Sequence, residues 1–138
     1  MRLALFAVLA TGCSGVTPMK PTTPPICTTY EQCHAHDGQR VEVVGVYTVW
    51  EPRPDIPPER SKSRHVKVRL DGSPGGPFLE PASAKGHKRS PEEIAQFHGK
   101  RVRVIGTYLR DMRTHISETE AQLMGSCVKD VESITLAE

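Results

Sequence analysis

A chain of 138 residues has room for one ordinary domain and too little for two. Apolar residues make up 37% and charged residues 25%, so the core is small. Lys+Arg 18 against Asp+Glu 16 leaves +2, well short of the excess of a dedicated nucleic-acid-binding protein. No run of about 18 apolar residues occurs, which excludes a bundle of membrane-spanning helices.

Met1-Arg2 supplies a minimal positive start, and Leu3 to Ala10 form an apolar stretch too short to cross a bilayer. Thr11-Gly12-Cys13 follows at once. Small residues directly before a cysteine resemble the lipobox of bacterial lipoprotein signal peptides, although Ala10 stands where leucine is usual. The resemblance implies cleavage before Cys13 and lipidation of its thiol. Each acyl CH₂ buried in a membrane contributes about 0.8 kcal/mol, so several chains anchor a soluble domain durably. Cleavage by an ordinary signal peptidase, or use of Leu3–Ala10 as the domain's first element, are the alternatives. Ser14 is not the aspartate that retains lipoproteins at the inner membrane, so the expected location is the outer membrane, facing the periplasm or the exterior. Removing residues 1–12 takes Arg2 with it and leaves a nearly neutral chain.

Three segments are thus expected: a leader over 1–12, a lipid-anchored Pro-rich tether over 13–28, and a domain over 29–138. The tether's prolines and scarcity of apolar groups suit an extended, solvated spacer.

The domain contains an internal echo. Shifting the sequence by 61 positions aligns Thr29–Tyr47 with Ser90–Tyr108, with identities at Glu31/Glu92, Gly38/Gly99, Arg40/Arg101, Val41/Val102, Val43/Val104, Gly45/Gly106 and Tyr47/Tyr108. Thr29 and Ser90 each stand three residues before Gln32 and Glu93, the pattern of a capping box. A short helix is expected after each cap, stopped by Gly38 or Gly99. An alternating strand follows each stop, with Val41, Val43, Tyr47 and Val49 on one face of the first and Val102, Val104 and Tyr108 on one face of the second. Gly45 and Gly106 mark where both strands must bend. In so short a chain these units belong to one sheet.

Between the copies, His65–Leu70 alternates Val66, Val68 and Leu70 with basic residues. A turn over Asp71–Pro77 and a short Phe78–Glu80 segment follow. Cys127–Leu136 reads as a last strand with a bulge. The expectation is an all-β domain with one or two short helices. The patterns GQRVEVVGVY, HVKVRLDG, SPEEIAQFHGKRVRVIGTY and VESITL, in that order, resemble the five-stranded Greek-key OB-fold barrel, and more narrowly the small exported OB-fold proteins of bacteria.

Cys13, Cys27, Cys33 and Cys127 are the only cysteines. With Cys13 lipidated, three remain, enough for one disulfide and one thiol in an oxidising compartment. The OB-fold resemblance implies that the starts of the first and fifth strands lie at one end, which would bring Cys33, or Cys27, to Cys127. A local Cys27–Cys33 bridge is the competitor. No Cys-x-x-Cys motif is present, so a structural bond is expected over a redox centre.

Catalytic signatures are scarce. No Gly-x-Ser-x-Gly and no phosphate loop occurs, and Glu92-Glu93 suits a helix N-terminus better than an acid/base pair. His34, His36 and Asp37 could suggest a metal-dependent enzyme, but residues two apart on a helix diverge. A non-catalytic module without metal or cofactor is expected. The OB-fold resemblance implies a ligand face over the second and third strands and their flanking loops. There the sequence offers Trp50, Arg53, Arg60, Arg64, Lys67, Arg69, Arg110 and Arg113, diluted by Glu51, Asp55 and Glu59. Such a face suits an anionic envelope ligand or a protein partner, with single-stranded nucleic acid as an alternative. Its bland reading is a solvated face whose charges deter edge pairing.

Overall fold

The computed structural model describes residues 12, 15, 23–51, 53–60, 62, 64–80, 89–112 and 125–138. The apolar start Leu3–Ala10, the lipidation candidate Cys13 and the ligand-face candidate Arg113 lie outside the described residues. In chain order the elements are β1 (Ile26–Cys27), α1 (Tyr30–His34), β2 (Arg40–Trp50), β3 (His65–Arg69), β4 (Phe78–Leu79), α2 (Pro91–Phe97), β5 (Arg101–Leu109) and β6 (Cys127–Leu136). A 3₁₀ turn covers Pro58–Arg60.

The expected helix starts are present in part. Thr29 Oγ1 accepts the Gln32 amide at 3.3 Å, and Ser90 Oγ accepts the Glu93 amide at 3.2 Å. The reciprocal half of the capping box forms in neither copy. Gln32 Oε1 accepts instead from the Thr28 amide at 2.7 Å, and Glu93 is drawn to Arg89 and Tyr47. Both stops are glycines in the left-handed region, Gly38 at φ 76° and Gly99 at φ 78°.

The two copies then pair with each other. β2 and β5 run antiparallel with Val43 opposite Val104, and the register continues from Arg40–Thr107 to Val46–Arg101. β2 is long enough to serve two neighbours, so its second half, Val46–Trp50, pairs antiparallel with β3. Gly45 sits where the strand passes between these partners. A Cβ there would collide with the Arg69 carbonyl oxygen and lie 2.8 Å from Val68 Cγ1. Gly106 has the same task in β5, where a Cβ would fall 2.6 Å from Val128 Cγ1 and 2.8 Å from the Lys129 carbonyl oxygen. The expected bulge of the last strand lies opposite. Ile105 pairs with Ser133 and Thr107 with Lys129, and Asp130 within the bulge adopts φ 49°.

All strands form one six-stranded mixed sheet in the order β1-β2-β3-β4-β6-β5, and the β2–β5 pairing joins β2 through β6 in a ring. The β4–β6 and β1–β2 pairs are parallel and the others antiparallel. The sixth strand, β1, was not foreseen. Ile26–Cys27, assigned to the tether by sequence, lie beside Glu42–Val43 on β2, and the Glu42 amide donates to the Pro25 carbonyl.

Alternation along each strand separates two apolar groups. Val41, Val43, Tyr47, Val49, Val66, Val68, Leu79, Val102, Val104, Tyr108 and Val128 make the ring's interior, joined at one side by Cys27 and Cys33. Phe78, Leu109, Met112 and Cys127 form a second, outward cluster against which Trp50 packs. Burying these side chains contributes about 1.5–3 kcal/mol each relative to exposure, and in a small domain each one matters.

Candidate functional site

The outward row of β2–β3 begins with Thr48 opposite Lys67 and Trp50 opposite His65, while Val66 and Val68 turn inward. Lys67 in turn faces Phe78 on β4. Alternation thus places an indole, an ammonium and a phenyl ring on one outer surface. Trp50 meets Phe78 edge-on, with centroids 5.3 Å apart and planes at 85°. Lys67 Nζ stands 4.4 Å from the Phe78 ring centre and 5.6 Å from that of Trp50. Both distances suit attraction between a cation and an aromatic face. Partial burial holds the Lys67 ammonium below its ordinary pKa.

This surface lines a cleft of about 410 Å³ between the two strands, the loop after β2 and the turn at Pro74–Gly75. Trp50, Arg53, Lys67 and Arg69 all border it. Arg53 is not an unengaged cation, because its Nε donates to Glu51 at 3.2 Å. The Glu51 side chain is only 4% exposed, so this ion pair is partly sunk into the cleft wall. Lys67 and Arg69 have no carboxylate partner among the described residues. They are the cations that an incoming anion would meet.

The other predicted members scatter. Arg64 borders a neighbouring cleft of about 480 Å³ with Lys62, Ile94 and His98. It holds φ 54°, a left-handed conformation that costs about 1–2 kcal/mol for a residue other than glycine. Its carbonyl accepts the Arg89 amide at 3.2 Å. Arg60 is exposed on the 3₁₀ turn and borders neither cleft. Arg110 lies beside the end of α1, where its amide donates to Asp37 Oδ1 at 2.8 Å. Phe78 is the participant that sequence reasoning missed, and Glu51, read only as diluting the charge, pairs with Arg53. Phe78 was legible only as part of a short strand, and nothing in the sequence said that Glu51 would be buried.

Comparison with protein-family models, with curated proteins and with solved structures finds no match.

The metal candidates do not converge. His34 packs between Tyr30 and Tyr108, with ring centroids at 5.4 and 6.0 Å. His36 Nδ1 lies 3.2 Å from Gln39 Oε1, and Asp37 caps the Arg110 amide. No group of three or more potential metal-binding side chains exists among the described residues.

No disulfide is at bonding distance among the described residues, neither from Cys127 to Cys33 or Cys27 nor between Cys27 and Cys33. Cys27, Cys33 and Cys127 are buried thiols. Cys127 belongs to the outward cluster, with its sulfur 3.8 Å from Glu80 Oε1, whereas Cys33 points into the interior.

α2, whose Ile94 borders the neighbouring cleft, is pinned by a separate polar group. Arg89 donates to Glu93 through Nε at 2.8 Å and a terminal nitrogen at 2.6 Å, and also to the Glu80 carbonyl. The Tyr47 hydroxyl donates to Glu93 at 2.8 Å. Burial and the adjacent Glu93 carboxylate push the Tyr47 phenol well above its ordinary pKa, so it stays a donor. Donors and acceptors satisfy one another here, and the group fixes the helix to the ring.

Proposed function

We propose that this chain is an OB-fold binding module without catalytic activity, lipid-anchored at Cys13 outside the cytoplasm, whose cleft at Trp50 and Lys67 takes an anionic ligand of the cell envelope. The fold assignment is supported by the ring order β2-β3-β4-β6-β5, by its one parallel pair, and by α2 standing between β4 and β5. The stagger agrees. Stepping sideways from Thr48 through Lys67, Phe78, Cys127 and Leu109 returns to β2 near Gly38, whose amide bonds the Tyr108 carbonyl, ten positions before the starting point. Closing so few strands into a barrel demands strong tilt of this kind.

The observation that carries the ligand reading is the Lys67 ammonium, partly desolvated over two aromatic rings and without a carboxylate partner among the described residues. Placing a cation there without a counter-ion costs solvation, and an arriving anion restores the balance. An aromatic platform beside two cations matches a uronic or phosphorylated sugar, whose ring packs on the indole while its charge meets Lys67 and Arg69.

Trp50 is the chain's only tryptophan, so its emission reports this cleft directly. Titration with a polyuronate, inorganic polyphosphate and a thymidine oligonucleotide should change that emission for the first two, and the response should vanish in Lys67→Ala/Arg69→Ala. No response to any polyanion refutes the ligand assignment. A preference for the oligonucleotide, with steep salt dependence, replaces it with single-stranded nucleic-acid binding. The anchor is tested separately. Cys13→Ser should move the protein from the membrane to the soluble fraction, and unchanged membrane association counts against lipidation.

A further inference from the structure

Cys27 and Cys33 are contributed by different elements, β1 and α1, yet both are fully buried and belong to one apolar cluster. β1 and α1 pack against each other, and both thiols are free. Six positions separate them, and the intervening chain is already folded back by the Thr29 cap and the Thr28–Gln32 bonds. We infer that Cys27 and Cys33 are a dithiol site at which oxidation forms a disulfide between β1 and α1, leaving Cys127 as a thiol.

The chemistry needs an oxidant, for which a small disulfide such as oxidised glutathione suffices. The thiolate of one cysteine attacks the oxidant's sulfur and expels one thiol, giving a mixed disulfide. The second cysteine's thiolate then attacks the protein-bound sulfur and expels the other thiol. Two protein thiols have become one disulfide, and the oxidant has been reduced to two thiols. Burial raises the pKa of both Cys27 and Cys33, so in the closed fold neither supplies much thiolate. The exchange therefore belongs to the folding chain or to moments when β1 detaches. A two-residue edge strand detaches more easily than any strand of the ring.

The bond has a structural use. β1 is a two-residue strand at the sheet's edge, paired on one side only, and α1, at five residues, is too short to hold together alone. A covalent link between them fixes the entrance of the domain, whether or not the chain is lipidated upstream. This inference does not depend on the proposed ligand or location.

The test uses the full-length chain carrying Cys13→Ser, refolded in oxidised and reduced glutathione, alkylated under denaturing conditions and cleaved after glutamate. Cleavage after Glu31 parts Cys27 from Cys33, so only a disulfide keeps the two fragments together. The expected result is that joined pair, with Cys127 alkylated and the intact mass before alkylation about 2 Da below that of the reduced chain. Three alkylated cysteines, or Cys127 joined to either partner, overturn the inference. Reductant should also lower the melting temperature by about 5 °C in this chain and leave the further Cys27→Ala/Cys33→Ala chain unchanged. An equal fall in both overturns it as well.

Discussion

Val43 faces Val104 across the β2–β5 ladder, and the two occupy the same position in the two copies of the 61-residue echo. The copies therefore pair about a local two-fold axis, and their other contacts come in matching sets. The Gly38 amide bonds the Tyr108 carbonyl while the Gly99 amide bonds the Tyr47 carbonyl. Tyr108 donates its amide to Gln39, as Tyr47 does to Lys100. Even the charges follow. Glu42 and Arg103 hold equivalent places and form an ion pair at 2.8 Å. Each unit presents a glycine turn to the other's tyrosine, so a helix–turn–strand sequence used twice closes half of the ring.

The glycines of this pairing perform different tasks, which substitution separates. At Gly45 the backbone is ordinary but a methyl group meets the Arg69 carbonyl, so Gly45→Ala must move strand against strand. A cost of about 3 kcal/mol is expected. At Gly38 nothing lies within 4 Å, and only the left-handed φ of 76° resists, so Gly38→Ala should cost about 1 kcal/mol. Urea unfolding of both variants decides. Equal losses would remove the argument that close strand approach selects Gly45.

Acid should reveal the Arg89–Glu93–Tyr47 group. Desolvation alone would raise the Glu93 pKa, but bonds from Arg89 and Tyr47 outweigh it and hold the carboxyl below its ordinary 4.5. A depressed carboxylate contributes stability that is complete above the unfolded value and disappears as pH falls through the folded one. Glu93→Gln should therefore lose about 2 kcal/mol near pH 7, with the gap to the parent narrowing below pH 4.5. Asp71 and Glu132 are also depressed, by bonds from Arg101 and Arg40, but these carboxylates are open to solvent and add little. A gap that stays constant down to pH 3 would separate the effect from the Glu93 charge.

Much of this architecture was legible because it depends on period and backbone conformation. Val41, Val43, Val102 and Val104 alternate as half-buried strands must, and the stops at Gly38 and Gly99 fall where a left-handed residue ends a helix. β1 was illegible because two residues carry no period, and it is held by the β2 backbone, not by its own pattern. The site was half legible for a similar reason. Lys67 and Arg69 follow from alternation within β3, whereas the positions of Arg60, Arg64 and Arg110 depend on loop paths that composition does not specify. Cys127 belongs to the outward cluster and Cys33 to the interior one, a division set by the pleat that cysteine spacing does not specify.

That outward sulfur should be nearly inert. Burial first, and the neighbouring Glu80 carboxylate second, push the Cys127 thiol up to about 12, leaving almost no thiolate at neutral pH. A thiol-specific reagent such as an aromatic disulfide should modify Cys127 only as the domain opens, at least about 100-fold slower in native buffer than in denaturant. Rapid labelling of the native protein at Cys127 would contradict its burial against Phe78, Leu109 and Met112.

Ligand binding should discriminate between two cations that border the same cleft. Arg53 is already paired with Glu51, so Arg53→Ala removes a charge that is largely satisfied, and a loss of less than about 3-fold in polyanion affinity is expected. Lys67 has no such partner among the described residues, and Lys67→Ala should lose about 10-fold or more, the effect of removing one charge-assisted contact. Alkaline pH gives an independent check. Burial lowers the Lys67 pKa below 10.5, so affinity should decline before an exposed lysine would lose its proton, and Lys67→Arg should abolish that decline. Trp50 emission follows both measurements. Equal effects of the Arg53 and Lys67 substitutions, with no alkaline decline, would mean that the cleft draws anions through diffuse charge and not through the ammonium held over Phe78.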